Sequence, residues 1–437
     1  MLRKFLIRLK ELIWLLPAFY CLLFFMLALG VIALDTRFAD TMGIVLPDLL
    51  LTDVALAQRV LSALATSLLS MTTITFSTIM VVLTTYASQY SPRILSNFIA
   101  NRTTMRVLGV FLGGFVYSIL ALLFMRQEDL DEQVMSASVG VLVAFVCLSY
   151  FAYFIHHVAT SIQVGNLIDT LTEDILMADL YYQGPREVEP FIQLSEKFPG
   201  IPEQYSERQE VAAGMYGYLQ FMDYQNIYAL AKQYDLILEV RQEAGQYLTP
   251  NMPLFNIHYK PDAERVDPDI FRKHLKTGEE RATFQDAYFG IQKIAEVALR
   301  AIAPGTNNPN TAIDCIRHLG TALTEMLKYY GTYIQYGSKE APTRVIAVKK
   351  KPGELLYWTF QQICEAGQDK VTVMLTVLEA LCCIALDNNE AVRRDVQIFG
   401  EYVLERIDRE KWKSADLAHL DERVQALTLA VKAQKTV

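Results

Sequence analysis

Charge is what this chain is short of. Only 20% of its 437 residues are charged, where an ordinary soluble domain carries about 25%, and 52% are hydrophobic. That composition excludes a disordered chain and a collagen-like repeat. Cysteine is present but not patterned. The six fall at 21, 147, 315, 364, 382 and 383 without a CxxC, so neither a zinc site nor a disulfide framework is expected. Buried free thiols in a reducing compartment are the ordinary reading. Gly-rich phosphate loops, HExxH and GxSxG are missing, so no enzyme class, metal or cofactor is indicated.

The charge that exists is unevenly placed. Residues 1–160 carry 10 basic and 9 acidic side chains, and residues 161–437 carry 30 and 39. The net charge of −8 therefore belongs to the second part, which is a poor match for phosphate backbones. Nucleic acid is not an expected partner.

What is there is a set of long apolar runs. Trp14 to Leu34 is uncharged for 21 residues, enough to cross about 30 Å of hydrocarbon as a helix, and too long for a signal-peptide core. Leu61 to Thr85, Val107 to Met125 and about Val134 to Ile155 complete four spans, predicting a transmembrane domain over 1–160. Segments 1–11 and 86–106 hold seven Lys/Arg, whereas 35–59 and 126–133 hold Arg37, Arg59 and Arg126 among eight acids. Positive-inside placement puts the N-terminus in the cytoplasm, and four spans return the C-terminal part to the same side. No span carries an ionisable residue in its core, which counts against a proton- or substrate-coupled carrier. His156 and His157 close the fourth span beside Tyr150 and Tyr153 and read as interfacial.

The second span is chemically unusual. It contains eleven hydroxyl residues, and Ser62, Thr66, Ser70, Thr73, Ser77 and Thr84 follow steps of 4, 4, 3, 4 and 7. That spacing keeps them on one helix face. Two readings remain open: a polar lining for a water-filled path, or packing glue between helices. Self-bonding of each hydroxyl to its i−4 carbonyl would serve either. Gly109, Gly113 and Gly114 invite close packing of the third span.

The second part is expected to be mainly helical with a small α/β module. Residues 161–210 read as an amphipathic extension of the fourth span, with Asp169, Glu173, Asp174 and Asp179 toward water, then a linker carrying Pro185, Pro190, Pro199 and Pro202. Over 211–262 the pattern predicts a strand at 216–222, a helix capped by Asp223, a strand at 236–240, a turn at Gly245 and a strand at 254–257. No lysine stands at a hairpin tip, so covalent cofactor loading is not expected. From 275 to 437 a helical bundle is expected, with helices at 284–302, 311–329, 354–366, 370–386, 390–408 and 414–434. A basic, β-branched segment, Arg344–Lys351, interrupts it.

Between the first two of these helices lies APGTNNPN. Pro304 and Gly305 stop one helix, and Asn308 or Asn310 can cap the next. With Asn307 and the flanking Arg300 and Arg317, the turn is a candidate site for an anion or small phosphorylated ligand. A tight helical hairpin with good caps is the plainer account.

TTITFSTIMVVLTTYASQYSPRIL (72–95) and FGIQKIAEVALRAIAPGTNNPNTAIDCIRHLG (289–320) resemble a bacterial family of predicted membrane proteins of unknown function. The resemblance covers nearly the whole chain and implies four spans followed by a cytoplasmic domain, with no catalytic residue to carry over. Members usually read close to SPGINDP where this chain has Ala303 for the serine and Asn308 for the aspartate.

Two functions follow. The first is a homo-oligomeric ion channel or pore in the lipid bilayer, the second span lining the path and the acidic domains concentrating cations. The alternative is a membrane-anchored sensor or scaffold whose domain binds a ligand or protein at the 303–311 turn.

Overall fold

A computed structural model describes residues 14–45, 51–89, 93, 102–125, 133–161, 163–183, 190–328, 331–337 and 343–433. The chain divides into two compact units, 1–163 and 164–437.

In the first unit, α1 (Leu15–Val45), β1 (Thr52–Asp53), α2 (Val54–Gln89), α3 (Arg102–Phe124), β2 (Gln133–Val134) and α4 (Ser136–Ser161) follow in order. Each helix contains a stretch long and apolar enough to cross a membrane: Leu15–Thr36, Val54–Thr85, Thr103–Phe124 and Ser136–Thr160. The expected loop over 35–59 is largely helix. α1 runs on to Val45, and α2 begins at Val54. Thr52 and Asp53 pair with Val134 and Gln133 in a two-stranded antiparallel ribbon.

Asp35 is therefore a buried helical residue and not a loop acid. Its carboxylate accepts hydrogen bonds from the backbone N–H of Met135 (2.9 Å) and Ser136 (3.2 Å) and from the Ser136 hydroxyl. It thus supplies acceptors to N–H groups at the start of α4 that have no intrahelical partner. Tyr117 Oη donates to the Ser136 carbonyl at 2.8 Å. Glycine sets the separation of α1 and α3. A Cβ at Gly109 would stand 2.8 Å from the Pro17 Cα, and one at Gly113 would run into the Phe24 ring.

The second unit opens with α5 (Val164–Gln183), β3 (Phe191–Ser195), β4 (Glu207–Ala212), β5 (Gly217–Met222), α6 (Tyr224–Gln233), β6 (Ile237–Val240), β7 (Tyr247–Leu248), β8 (Pro253–Tyr259), α7 (Asp269–Arg272) and β9 (Leu275–Gly278). It continues with α8 (Ala287–Ile302), α9 (Pro309–Lys328), β10 (Tyr333–Gly337), β11 (Val345–Val348), α10 (Pro352–Gly367), α11 (Val371–Asp387), α12 (Glu390–Glu405) and α13 (Ser414–Lys432). Six strands form a mixed sheet in the order β3-β10-β11-β6-β8-β4, and β5 pairs between β7 and β9 in a second sheet. Within the six-stranded sheet only the β11–β6 pairing is parallel.

The sheet is larger than the 211–262 pattern predicts, because it recruits strands from outside that stretch. The segment expected as a Pro-rich linker contributes the edge strand β3, where Pro190 stands just before the ladder and removes no hydrogen bond from it. The segment Arg344–Lys351 contributes β11, whose Val345, Ile346 and Ala347 are buried. A strand in parallel pairing and covered on both faces reads as a continuous apolar run, without alternation to reveal it. Leu238, Val240, Phe255, Ile257, Ile334 and Tyr336 belong to one core with Ile227, Tyr228 and Ala231 of α6. Asp223 caps α6, accepting from the Asn226 N–H.

α5 begins at Val164. Ile168, Leu171, Ile175 and Ala178 form its buried face. Asp169, Glu173 and Asp174 stay exposed, whereas Asp179 is buried. The amphipathic pattern placed Asp179 in water. The structure places it in an ion pair with Lys349.

Replacing Gly109 by Val should destabilise the full chain in detergent by about 1–3 kcal/mol, because Pro17 backbone cannot move aside as a side chain tip would. Gly30→Val, with nothing within 4 Å of a Cβ, should leave the denaturation midpoint nearly unchanged. Equal effects would show that the α1–α3 contact is not close-packed.

Candidate functional site

The hydroxyl face of α2 forms for a local reason. Inside an apolar surrounding a hydroxyl needs a partner, and the carbonyl one turn back is always in reach. Thr66 Oγ1 donates to the Ser62 carbonyl at 3.0 Å, Ser70 Oγ to Thr66 at 2.9 Å and Thr73 Oγ1 to Leu69 at 3.0 Å. Thr84 bonds the Met80 carbonyl in the same way. All six residues, Ser62, Thr66, Ser70, Thr73, Ser77 and Thr84, are exposed. The buried side of the helix is made by Ala57, Leu61, Ala65, Leu68, Ile79 and Val82. At about 100° per residue, the centres of the two faces lie on opposite sides of the helix.

Among the described residues, the hydroxyl face is not glue within the chain, since the face that packs is the other one. The donated hydrogens point inward to the helix's own carbonyls, so the outward-facing oxygens present lone pairs.

The 303–311 turn is built by helix ends. Gly305 takes φ +97° and Asn307 φ +43°, conformations that favour glycine and, next, asparagine. The Asn308 N–H donates to the Ala301 carbonyl at 2.8 Å, closing the end of α8, and Asn308 Oδ1 accepts from the Thr311 N–H at 3.4 Å, capping α9. Gly305, Asn307 and Asn308 are thus together in one exposed turn. Arg300 is exposed in the last turn of α8, where its charge suits the helix dipole. Arg317 pairs instead with Glu379 of α11 at 3.6 Å.

A second cluster has no counterpart in the sequence reading. Asp179, Glu243, Gln285, Asp286, Tyr288, Lys349 and Lys350 surround a cavity of about 40 Å³. Asp179 pairs with Lys349 at 3.0 Å, both side chains almost fully buried. Glu243 pairs with Lys350. Asp286 accepts from Arg281 at 2.6 Å and caps α8 through the Phe289 N–H. Burial pushes the Glu243 carboxyl up, with Lys350 opposing and Asp286 adding to the rise. Burial likewise raises Asp286 against the pull of Arg281. These residues come from α5, two loops, α8 and the β11–α10 junction, so no spacing in the sequence announces them. Their types could be listed from the sequence, but not their meeting. Among the described residues no group of three His, Cys, Asp or Glu is placed to hold a metal.

Four apolar helices in one unit, followed by a unit of sheet and helices, define a multi-span membrane protein. The chain belongs to the family described as predicted membrane protein, DUF2254, whose model matches residues 10–382. It is 28% identical over 387 residues to uncharacterized proteins of Mycobacterium tuberculosis (strain CDC 1551 / Oshkosh) and of Mycobacterium bovis, an alignment covering 83% of this chain and 69% of each relative. No solved structure matches the chain.

Two tests follow from the buried cluster. Lys349→Met should cost about 3–5 kcal/mol by leaving Asp179 buried without its partner, and adding Asp179→Leu should recover much of that loss. Denaturation of the three variants measures it, and additive losses would contradict a coupled pair. The second test is pH. A carboxyl whose folded value lies above its unfolded one contributes stability that is full below the ordinary carboxylate range and fades as pH rises through the raised value. The thermal midpoint of Glu243→Gln should therefore fall less steeply than that of the wild type as pH rises above the ordinary carboxylate range. Parallel curves would remove Glu243 from the account.

Proposed function

We propose that this protein is a homo-oligomeric pore of the bacterial inner membrane, with the α2 helices of several copies lining a path through their hydroxyl faces. The observation that carries the reading is the outward, unpacked position of all six hydroxyl residues. A face that lines nothing in one chain becomes a lining when copies assemble around it. Closed symmetric rings are the usual outcome of such assembly.

The ions are small cations. Outward lone pairs replace part of a hydration shell, much as backbone carbonyls do in known filters. The excess of 39 acidic over 30 basic residues in 161–437 raises the local cation concentration if that part lies at the mouth. Basic residues in 1–11 and 86–106 support cytoplasmic placement of both termini. The role is non-enzymatic: pathway and lining account for the features of the first unit with no chemistry at a substrate bond.

The anchored sensor or scaffold is supported less. Its expected ligand turn is accounted for by caps, and Arg317 is engaged with Glu379.

Purified full-length protein in liposomes should pass potassium, and Thr73→Trp should cut the flux at least tenfold on the order expected for a filled constriction. Wild-type flux with the bulky variant would place the path elsewhere. Absence of flux under voltage, tension and pH steps, from protein shown to be folded, would contradict the pore.

A further inference from the structure

The polar face of α2 does not end at Ser62. One turn earlier it carries Gln58 and Arg59, which border, with Ser62, Thr66 and Ser67, a shallow open hollow on the surface of the helix. On a helical wheel Arg59 falls within the sector of about 80° that the six hydroxyls occupy. It is exposed, and among the described residues lining the hollow it is the one charged side chain.

The position of Arg59 along the helix matters as much as its face. The apolar stretch Val54–Thr85 has 32 residues, about 48 Å at 1.5 Å per residue, against about 30 Å of hydrocarbon. The excess leaves room for the first turns of α2 to stand at headgroup level. An arginine costs free energy inside hydrocarbon and is tolerated where its head reaches the interface.

The donors around it differ from those further along. Thr66, Ser70, Thr73 and Thr84 give their hydrogens to the preceding turn. Among the described residues, no such bond is made by Ser62 or Ser67, and the Gln58 amide makes none either. The hollow therefore gathers a guanidinium, a primary amide and two uncommitted hydroxyls. That is a donor-rich set with one fixed positive charge. Guanidinium matches the oxygens of a phosphate in a bidentate way that an ammonium does not.

We propose that the head of α2 is a phosphate-binding site, with Arg59 as the charged anchor and Gln58, Ser62 and Ser67 as neutral donors. The same chemistry is offered by a phospholipid headgroup and by free phosphate. The site does not depend on the pore reading. If both hold, a bound phosphate cancels the Arg59 charge that would otherwise repel cations at this end of the path.

The test uses full-length protein purified in a mild detergent. One arm is native mass spectrometry after addition of phosphatidylglycerol. The other is thermal stabilisation by inorganic phosphate against chloride at equal ionic strength. Wild type should retain phosphatidylglycerol, be stabilised by inorganic phosphate, or both, and the arm that responds identifies the source. Arg59→Gln should weaken the response at least tenfold, and Ser62→Ala with Ser67→Ala should weaken it by a smaller factor. Arg59→Lys should keep the charge but lose much of the retention. Arg106→Gln, an exposed arginine on α3, should behave as wild type. The proposal is overturned if Arg59→Gln elutes as a folded, monodisperse protein that responds as wild type does. Arg59 is then an interfacial anchor only. It is also overturned if wild type responds in neither arm.

Discussion

A hydroxyl group in an apolar medium needs an acceptor, and on α2 Thr66, Ser70, Thr73 and Thr84 find one in the carbonyl a turn behind them. This single local bond permits the rest of the first unit. Because Thr66, Ser70 and Thr73 are satisfied at home, they can be turned away from the bundle without leaving a donor unpaired. The opposite side of the helix is then free to pack through Ala57, Leu61, Ala65 and Leu68. The bundle is tightened by different means, namely the Gly109 and Gly113 approach to α1 and the Asp35 cap on the start of α4.

The second unit rests on the opposite solution. There the polar groups are buried and matched in pairs between elements distant in the chain. Asp179 and Lys349 are separated by 170 positions yet sit at 3.0 Å with little exposure. Such a pair adds little net stability over an apolar core, but it makes the wrong docking of α5 costly, because either charge alone would be stranded. Glu243 and Lys350 extend the same logic around the small cavity, and Asp286 is matched within its own loop by Arg281.

How much was legible depends on the range of the interaction. The spans could be read because about 20 apolar residues are needed to cross hydrocarbon, whatever else the chain does. The helices of the second unit could be read within a few residues, since period and caps are local: Asp223 and Asn308 cap where their side chains suggest. β3 and β11 were not, because a five-residue and a four-residue strand are defined by partners far away. Asp179 was misplaced for the same reason. An amphipathic pattern assigns acids to water, and nothing near position 179 reveals the lysine that meets it. For the candidate site, the hydroxyl periodicity was visible at once. Which way the face points was not, since that depends on which side of α2 the other helices occupy.

The central claim is that the hydroxyl face of α2 borders water between copies of the chain. An experimental structure of the assembled protein in lipid nanodiscs tests it most directly. The account predicts a closed ring in which Ser70, Thr73 and Ser77 from each copy face a continuous aqueous passage. A ring, or a single chain, in which those residues lie against lipid tails would contradict it.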